Sequence, residues 1–243
     1  MKRINAVIMI VLAALALAAP AIGQDEEECT AYVAGIVGDA GYRESEDAEW
    51  EPVELDMCLY IGDELRTKAD SALALMFTEE IEVRVDAFSV FKVRAMEGEG
   101  EQPNSLDLKS GQAWAKVEKL EQNAQHSKFE IRTPTAIAGV RGTEFNVEVD
   151  EEGNSTVHVL DGTVSVLNEL GEVLAAAGMM TKVFGGELPL DPEEFDIKQF
   201  QEKLNAWKDK ISIGEIREAI KDEIKNNVKE KIDAPVKKLK KIF

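Results

Sequence analysis

The chain has 243 residues, with 47 Asp and Glu against 28 Lys and Arg and a formal net charge of −19. An acidic excess of that size argues against a nucleic-acid partner, because phosphate contacts need clustered Lys and Arg. It equally serves plain solubility, and it lies almost wholly before Pro189, as in DEEE at Asp25 to Glu28.

Lys2 and Arg3 open the chain, followed by an apolar run from Ala6 to Ala19 and by Ala21-Ile22-Gly23. A charged start, a short apolar stretch and small residues at Ala21 and Gly23 are the pattern of a signal peptide over residues 1–23, cleaved near Gly23. The run is shorter than the ~20 residues that a membrane-spanning helix needs, and an uncleaved anchor is the alternative. No cysteine stands near the cleavage point, which argues against a lipid anchor. The expectation is a periplasmic or secreted chain whose mature form begins near Gln24. Its two cysteines, Cys29 and Cys58, could form a disulfide in an oxidising compartment; two free, buried thiols are the other reading.

From Ala31 to about Phe184 the apolar pattern has period two. AYVAGIV (Ala31–Val37), SALALMF (Ser71–Phe77), EVRV (Glu82–Val85), SVFKV (Ser89–Val93), KFEI (Lys128–Ile131), TEFNVEV (Thr143–Val149), TVHVL (Thr156–Leu160) and TVSVL (Thr163–Leu167) all alternate. Turn signals separate them: Gly38-Asp39, Gly62-Asp63, Lys109-Ser110-Gly111, Glu152-Gly153-Asn154, Asp161-Gly162 and Glu169-Leu170-Gly171. Many short strands without an intervening helix predict an all-β domain over residues 24–190, a β-sandwich or a β-roll. Asp161-Gly162 between two alternating runs predicts a hairpin. Met96–Asn104 and Lys119–Ser127 read as exposed loops.

Near Leu190 the period changes, and residues 191–243 read as amphipathic helices. Asp191-Pro192-Glu193-Glu194 has the order of an N-cap, a proline at the first helical position and acids in the first turn. Phe195, Ile197, Phe200, Leu204, Trp207 and Ile211 then recur at helical spacing, and Ile213, Ile216, Ile220, Ile224, Val228 and Ile232 form a second run before Pro235. Such stripes either pack on the β domain or meet a partner.

Chemistry finds little to work with. The only histidines are His126, in a polar loop, and His158, which reads as a solvated residue on the outer face of its strand. There is no GxSxG, HExxH, CxxC or P-loop. DEEGNS at Asp150–Ser155 has oxygen ligands at the wrong spacing for calcium and reads as a plain hairpin. No catalytic, cofactor or metal site is assigned.

The densest pattern runs from Glu130 to Val166, around Arg132, Thr133, Pro134, Arg141, Gly142, Thr143, Glu144, Phe145, Asp161 and Gly162. Thr133-Pro134 forces extended backbone and removes a ladder donor, so a strand ends there. Arg141, with Glu144 and Asp161 as acceptors, suits a bracing ion pair, which fixes geometry more reliably than it adds stability. The alternative for Arg141 is anion binding. The cluster reads as a corner.

IRTPTAIAGVRGTEFNVEV followed by TVHVLDGTVSV resembles the FecR domain, whose core joins a T-P-x-A start to an R-G-T and is followed by an x-V-x-V-L-x-G-x-V-x-V hairpin. Gly35 to Gly38, Trp50-Glu51-Pro52, Leu59, Gly62-Asp63-Glu64-Leu65-Arg66-Thr67, Ser71-Ala72 and Leu75 also fit, and the resemblance covers about Tyr32 to Phe184. It implies the periplasmic part of inner-membrane regulators that relay receptor occupancy to a sigma factor. Those regulators carry a cytoplasmic segment and a transmembrane helix ahead of the domain, where this chain has a signal-peptide pattern. The resulting expectation is a non-enzymatic envelope interaction module whose protein partner docks on the C-terminal helices or a strand edge. An envelope glycan-binding module is the alternative; it needs exposed aromatics, whereas Trp50 and Trp114 lie in segments that read as feeding the core, and Trp50→Ala is its test. The end of the chain places Lys237, Lys238, Lys240 and Lys241 among apolar residues, a patch suited to weak contact with anionic lipid.

Overall fold

The computed structural model describes residues 29–94, 105–118, 129–209 and 211. The signal-peptide pattern, both loops, His126, the second apolar run of the C-terminal segment and the basic end lie outside the described residues.

In chain order the strands are β1 (Ala31–Val37), β2 (Ala40–Arg43), β3 (Glu51–Pro52), β4 (Cys58–Leu59), β5 (Glu64–Thr67), β6 (Ala72–Thr78), β7 (Ile81–Val85), β8 (Val90–Arg94) and β9 (Ser105–Val117). They continue as β10 (Phe129–Arg132), β11 (Ile137–Val140), β12 (Glu144–Val149), β13 (Ser155–Asp161), β14 (Thr163–Asn168), β15 (Gly171–Ala176), β16 (Met179–Val183) and β17 (Glu193–Glu194), and helix α1 (Ile197–Lys208) follows. The all-β domain with a helix near its C-terminus is thus the observed fold.

The pairings sort these strands into two sheets that do not close. Sheet A runs β4-β1-β6-β7-β9-β12-β13-β16-β17. Sheet B runs β3-β2-β5-β8-β9-β10-β11-β14-β15. Strand β9 belongs to both: its first half pairs with β8 in sheet B and its second half with β7 in sheet A. Inward residues of both sheets, among them Leu65, Leu75, Phe91, Ile131, Phe145, Val157 and Val166, make one continuous core. The period of two arises because each strand sends alternate residues into that core.

Two expectations about turns are corrected. Asp161-Gly162 does not close a hairpin: β13 lies in sheet A and β14 in sheet B, so the dipeptide carries the chain between layers. From β10 onward the chain lays antiparallel hairpins alternately into the sheets, β10–β11 in B, β12–β13 in A, β14–β15 in B. Lys109-Ser110-Gly111 does not separate strands either; Gly111, at φ 92°, bends β9 where it changes sheets. A side chain there would run into Ser89.

Helix α1 begins later than the sequence suggests. Glu193 and Glu194 pair with Met180 and Met179, and the Phe195 amide donates to the Gly178 carbonyl at 3.1 Å. Backbone engaged in a sheet cannot start a helix, so the cap passes to Asp196, whose Oδ1 accepts from the Gln199 amide at 3.0 Å. No helix among the described residues is long and apolar enough to cross a membrane.

Candidate functional site

Strand β11 divides the singled-out residues into two groups, since its four residues span about 13 Å. Thr133 and Pro134 sit in the β10–β11 turn at one end, and Arg141, Gly142 and Thr143 sit at the other.

At the first end, Thr133 closes the turn. Its amide donates to the Ala136 carbonyl at 2.8 Å, and its Oγ1 accepts from the Ala136 amide at 2.9 Å. Ser155 Oγ, fully buried, lies 2.7 Å from Thr133 Oγ1 and 2.6 Å from Thr135 Oγ1, which ties this turn to the start of β13. Arg132 lies on the outer face of sheet B with its Nε 2.8 Å from Glu130 Oε1. The turn walls a cleft of about 650 Å³ on that face, floored by Arg94, Asp107, Arg132, Ile137 and Leu167 and flanked by Leu170. Arg94 is itself paired with Asp107 at 2.8 Å. Both guanidinium groups therefore already face carboxylates, and the cleft walls are half apolar.

At the second end, two layer crossings are stacked on each other. Gly142 at φ 64° and Gly162 at φ 87° adopt backbone that side-chain-bearing residues resist. A Cβ on Gly162 would stand 2.8 Å from Thr143 Oγ1 and 2.9 Å from the Gly142 carbonyl. Thr143 is buried and its hydroxyl reaches the Thr163 carbonyl at 3.2 Å. Phe145 then drops into the core. The R-G-T segment is thus a corner locked against the D-G corner.

The bracing role expected of Arg141 is not observed. Arg141 is exposed and, among the described residues, makes no ion pair. Glu144 instead accepts from Trp114 Nε1 at 3.0 Å and lies 3.7 Å from Lys208 Nζ. The reason is parity: Glu144 points to the outer face of sheet A, where the helix brings its own cation.

That outer face is covered. Leu204 and Trp207 of α1, 2% and 7% exposed, pack on Trp114 and Leu160, with Phe195 and Phe200 beside them. Ile211 seats on Ala72 and Ala74. Arg84 donates to the carbonyls of Lys208 and Ile211, satisfying the open end of the helix. His158, expected in solvent, is buried because this segment lies over it: its ring stacks on Phe200 at 4.2 Å and meets Phe195 edge-on at 5.0 Å. Burial, with Lys182 nearby, pushes its pKa down to about 4, and its Nδ1 has no partner. The sequence signal for this cover is β6, ALALMFT, which is apolar on both faces.

Trp50 lies under two guanidinium groups, Arg43 at 4.5 Å and Arg66 at 4.2 Å, so its ring is already occupied. Beside it, Glu64 is buried between Arg43 and Lys109. Burial pushes its carboxyl up, but hydrogen bonds from Lys109 and Arg43 outweigh this and hold it below the usual range. Cys29 and Cys58 are joined as a disulfide with Cα atoms 5.6 Å apart, tying the start of β1 to β4.

Two open sheets with a helix strapped across one outer face define the class, an all-β domain whose marked residues turn the chain. Residues 63–165 match the family model FecR protein. Two crystal structures of a proposed anti-sigma factor from Parabacteroides distasonis are similar to the chain at 18% identity, with TM-scores of 0.46 and 0.47. Each match covers 58% of this chain and 64% of the other, so it spans less than two thirds of that protein. No curated protein matches.

Proposed function

We propose that the chain is an exported, non-catalytic module that takes part in envelope signalling by binding another protein. The observation that carries this reading is the FecR match over residues 63–165, together with the use made of the family's most specific residues. Thr133-Pro134 turns the chain and Arg141-Gly142-Thr143 crosses it between layers. Export rests on the charged and apolar start up to Gly23, and a pairing of Cys29 with Cys58 fits an oxidising compartment. Because α1 spends its apolar side on its own domain, a strand edge is the contact surface this reading favours among the described residues; the second apolar run of the C-terminal segment lies outside them.

The test is in-cell cross-linking of the tagged chain in its host, with mass spectrometry of what co-purifies. A reproducible envelope protein is the expected result. Glycan fragments alone would overturn the reading in favour of an envelope-binding module.

A further inference from the structure

The two sheets have four free edges among the described residues, and three of them are blunted. Strands β3, β4 and β17 are two residues long; β3 contains Pro52, and β4 is tied by Cys58. The fourth edge, β15, is six residues long, pairs only with β14 in sheet B, and carries no proline, lysine or register shift. Proteins normally guard such an edge with one of those devices. Every second residue of β15 turns its N–H and C=O toward the open side.

The exposed side chains around the edge are apolar and acidic. Leu174 stands on the outer face beside Ser165 at 66% exposure, and Leu170 at the β14–β15 turn is 56% exposed. Leu188 is exposed where it lies beside Gly171 at the start of β15, next to Glu187, whose carbonyl accepts from Asn168 Nδ2 at 2.7 Å. Glu169, Glu172 and Glu187 are exposed around these leucines, and no Lys or Arg occurs between Asp161 and Met180.

We propose that β15 is a docking edge that takes an extended segment of a protein partner as the next strand of sheet B. Such a strand gains main-chain hydrogen bonds from the edge and specificity from alternate side chains. The matching segment carries aliphatic residues at alternate positions, to cover Leu174 and Leu170, and Lys or Arg residues to meet the three glutamates. A second copy of this chain suits the edge less well, because it brings the same glutamates to the same place. The inference rests on the reading of the domain as a protein-binding module and names where, and by what chemistry, the partner is held.

The test uses a fluorescein-labelled KVTVKVTVK peptide as probe, fluorescence anisotropy on the full exported chain at low salt, and hydrogen exchange of the complex. Saturable binding is expected, with slowed exchange confined to β15 and the β14–β15 turn, and no binding of EVTVEVTVE. Leu174→Lys should weaken binding about tenfold or more, through lost apolar contact and charge repulsion. Glu172→Lys should weaken it less and flatten its salt dependence. Both sites are exposed, and unchanged melting would show that the variants fold. Equal binding by Leu174→Lys, protection elsewhere, or self-association lost in Leu174→Lys would each overturn the proposal. A cellular partner captured equally by wild type and Leu174→Lys would sink the edge and leave the interaction reading standing. Peptide protection at β15 with no protein captured in cells would do the reverse.

Discussion

Trp207→Ala tests whether α1 belongs to the domain or merely lies near it. A buried Trp removes 150–250 Å² from water, which at about 25 cal/mol per Å² amounts to roughly 4–6 kcal/mol. Extended-chain references make that an upper figure, and core Trp→Ala changes cost about 3–5 kcal/mol. Lys208 adds a contact over the Trp114 ring at 4.2 Å, worth about 1 kcal/mol at a half-covered site. The loss falls on the docking of α1. A helix of twelve residues is marginal alone in water, so the variant should release it and wet Trp114. The expected readout is a red shift of the remaining tryptophan emission, fast exchange of α1 amides and a lower melting temperature. Unchanged α1 exchange with unchanged melting would refute the claim that this contact holds the helix down.

Three further outcomes follow from local geometry. Gly162→Ala should cost about 2–4 kcal/mol by chemical denaturation, from positive-φ strain plus collision with Thr143; a change below about 1 kcal/mol would remove the locked-corner argument. Arg84→Ala removes the side-chain donor to the Lys208 and Ile211 carbonyls, leaving Lys208 only the Ile211 amide at 3.4 Å, and should cost about 1–3 kcal/mol, seen first as fraying of α1; unaltered exchange there would contradict it. His158 is neutral when folded and its pKa is depressed from 6.5 to about 4, so the unfolded chain binds the extra proton between those values. Its contribution is full above about pH 6.5 and is lost as pH falls toward 4, a few kcal/mol in all. His158→Phe should flatten that part of the stability profile relative to wild type, and an identical slope would show that other groups set it.

The fold class was legible because period-two alternation reports which residues share a face, and the core obeys it from Val33 to Val183. Which sheet a strand joins was not legible. A glycine at positive φ serves a hairpin and a layer crossing equally well, so Asp161-Gly162 fits either, and only the pairing of β13 with β16 decides. The start of α1 was misread for a related reason. Asp191-Pro192-Glu193-Glu194 has good capping chemistry, but two ladder pairs with Met179 and Met180 hold its backbone extended. The burial of His158 depends on residues forty positions away, which no local pattern encodes. The apolar outer parity of β6, with Trp114 and Leu160 on neighbouring strands, was the available clue that sheet A is covered.

The route of the chain also explains why one sheet is left open. After β15 the chain leaves sheet B through Ala177 and Gly178, whose amides bond to the Gly162 and Val159 carbonyls, and enters sheet A as β16. It stays on that side: β17 extends sheet A, and Asp196 then starts the helix that crosses the outer face over His158, Trp114 and Leu160. Among the described residues, β16, β17 and α1 therefore serve sheet A and only the 186–188 loop touches sheet B, which keeps the cleft beside Thr133-Pro134 and a last strand paired on one side. A chain selected only for stability would gain more by covering Leu174 than by leaving it at 66% exposure, since each such leucine is worth about 1.5–3 kcal/mol when buried. An exposed Leu174 on that last strand agrees with the docking edge proposed for β15.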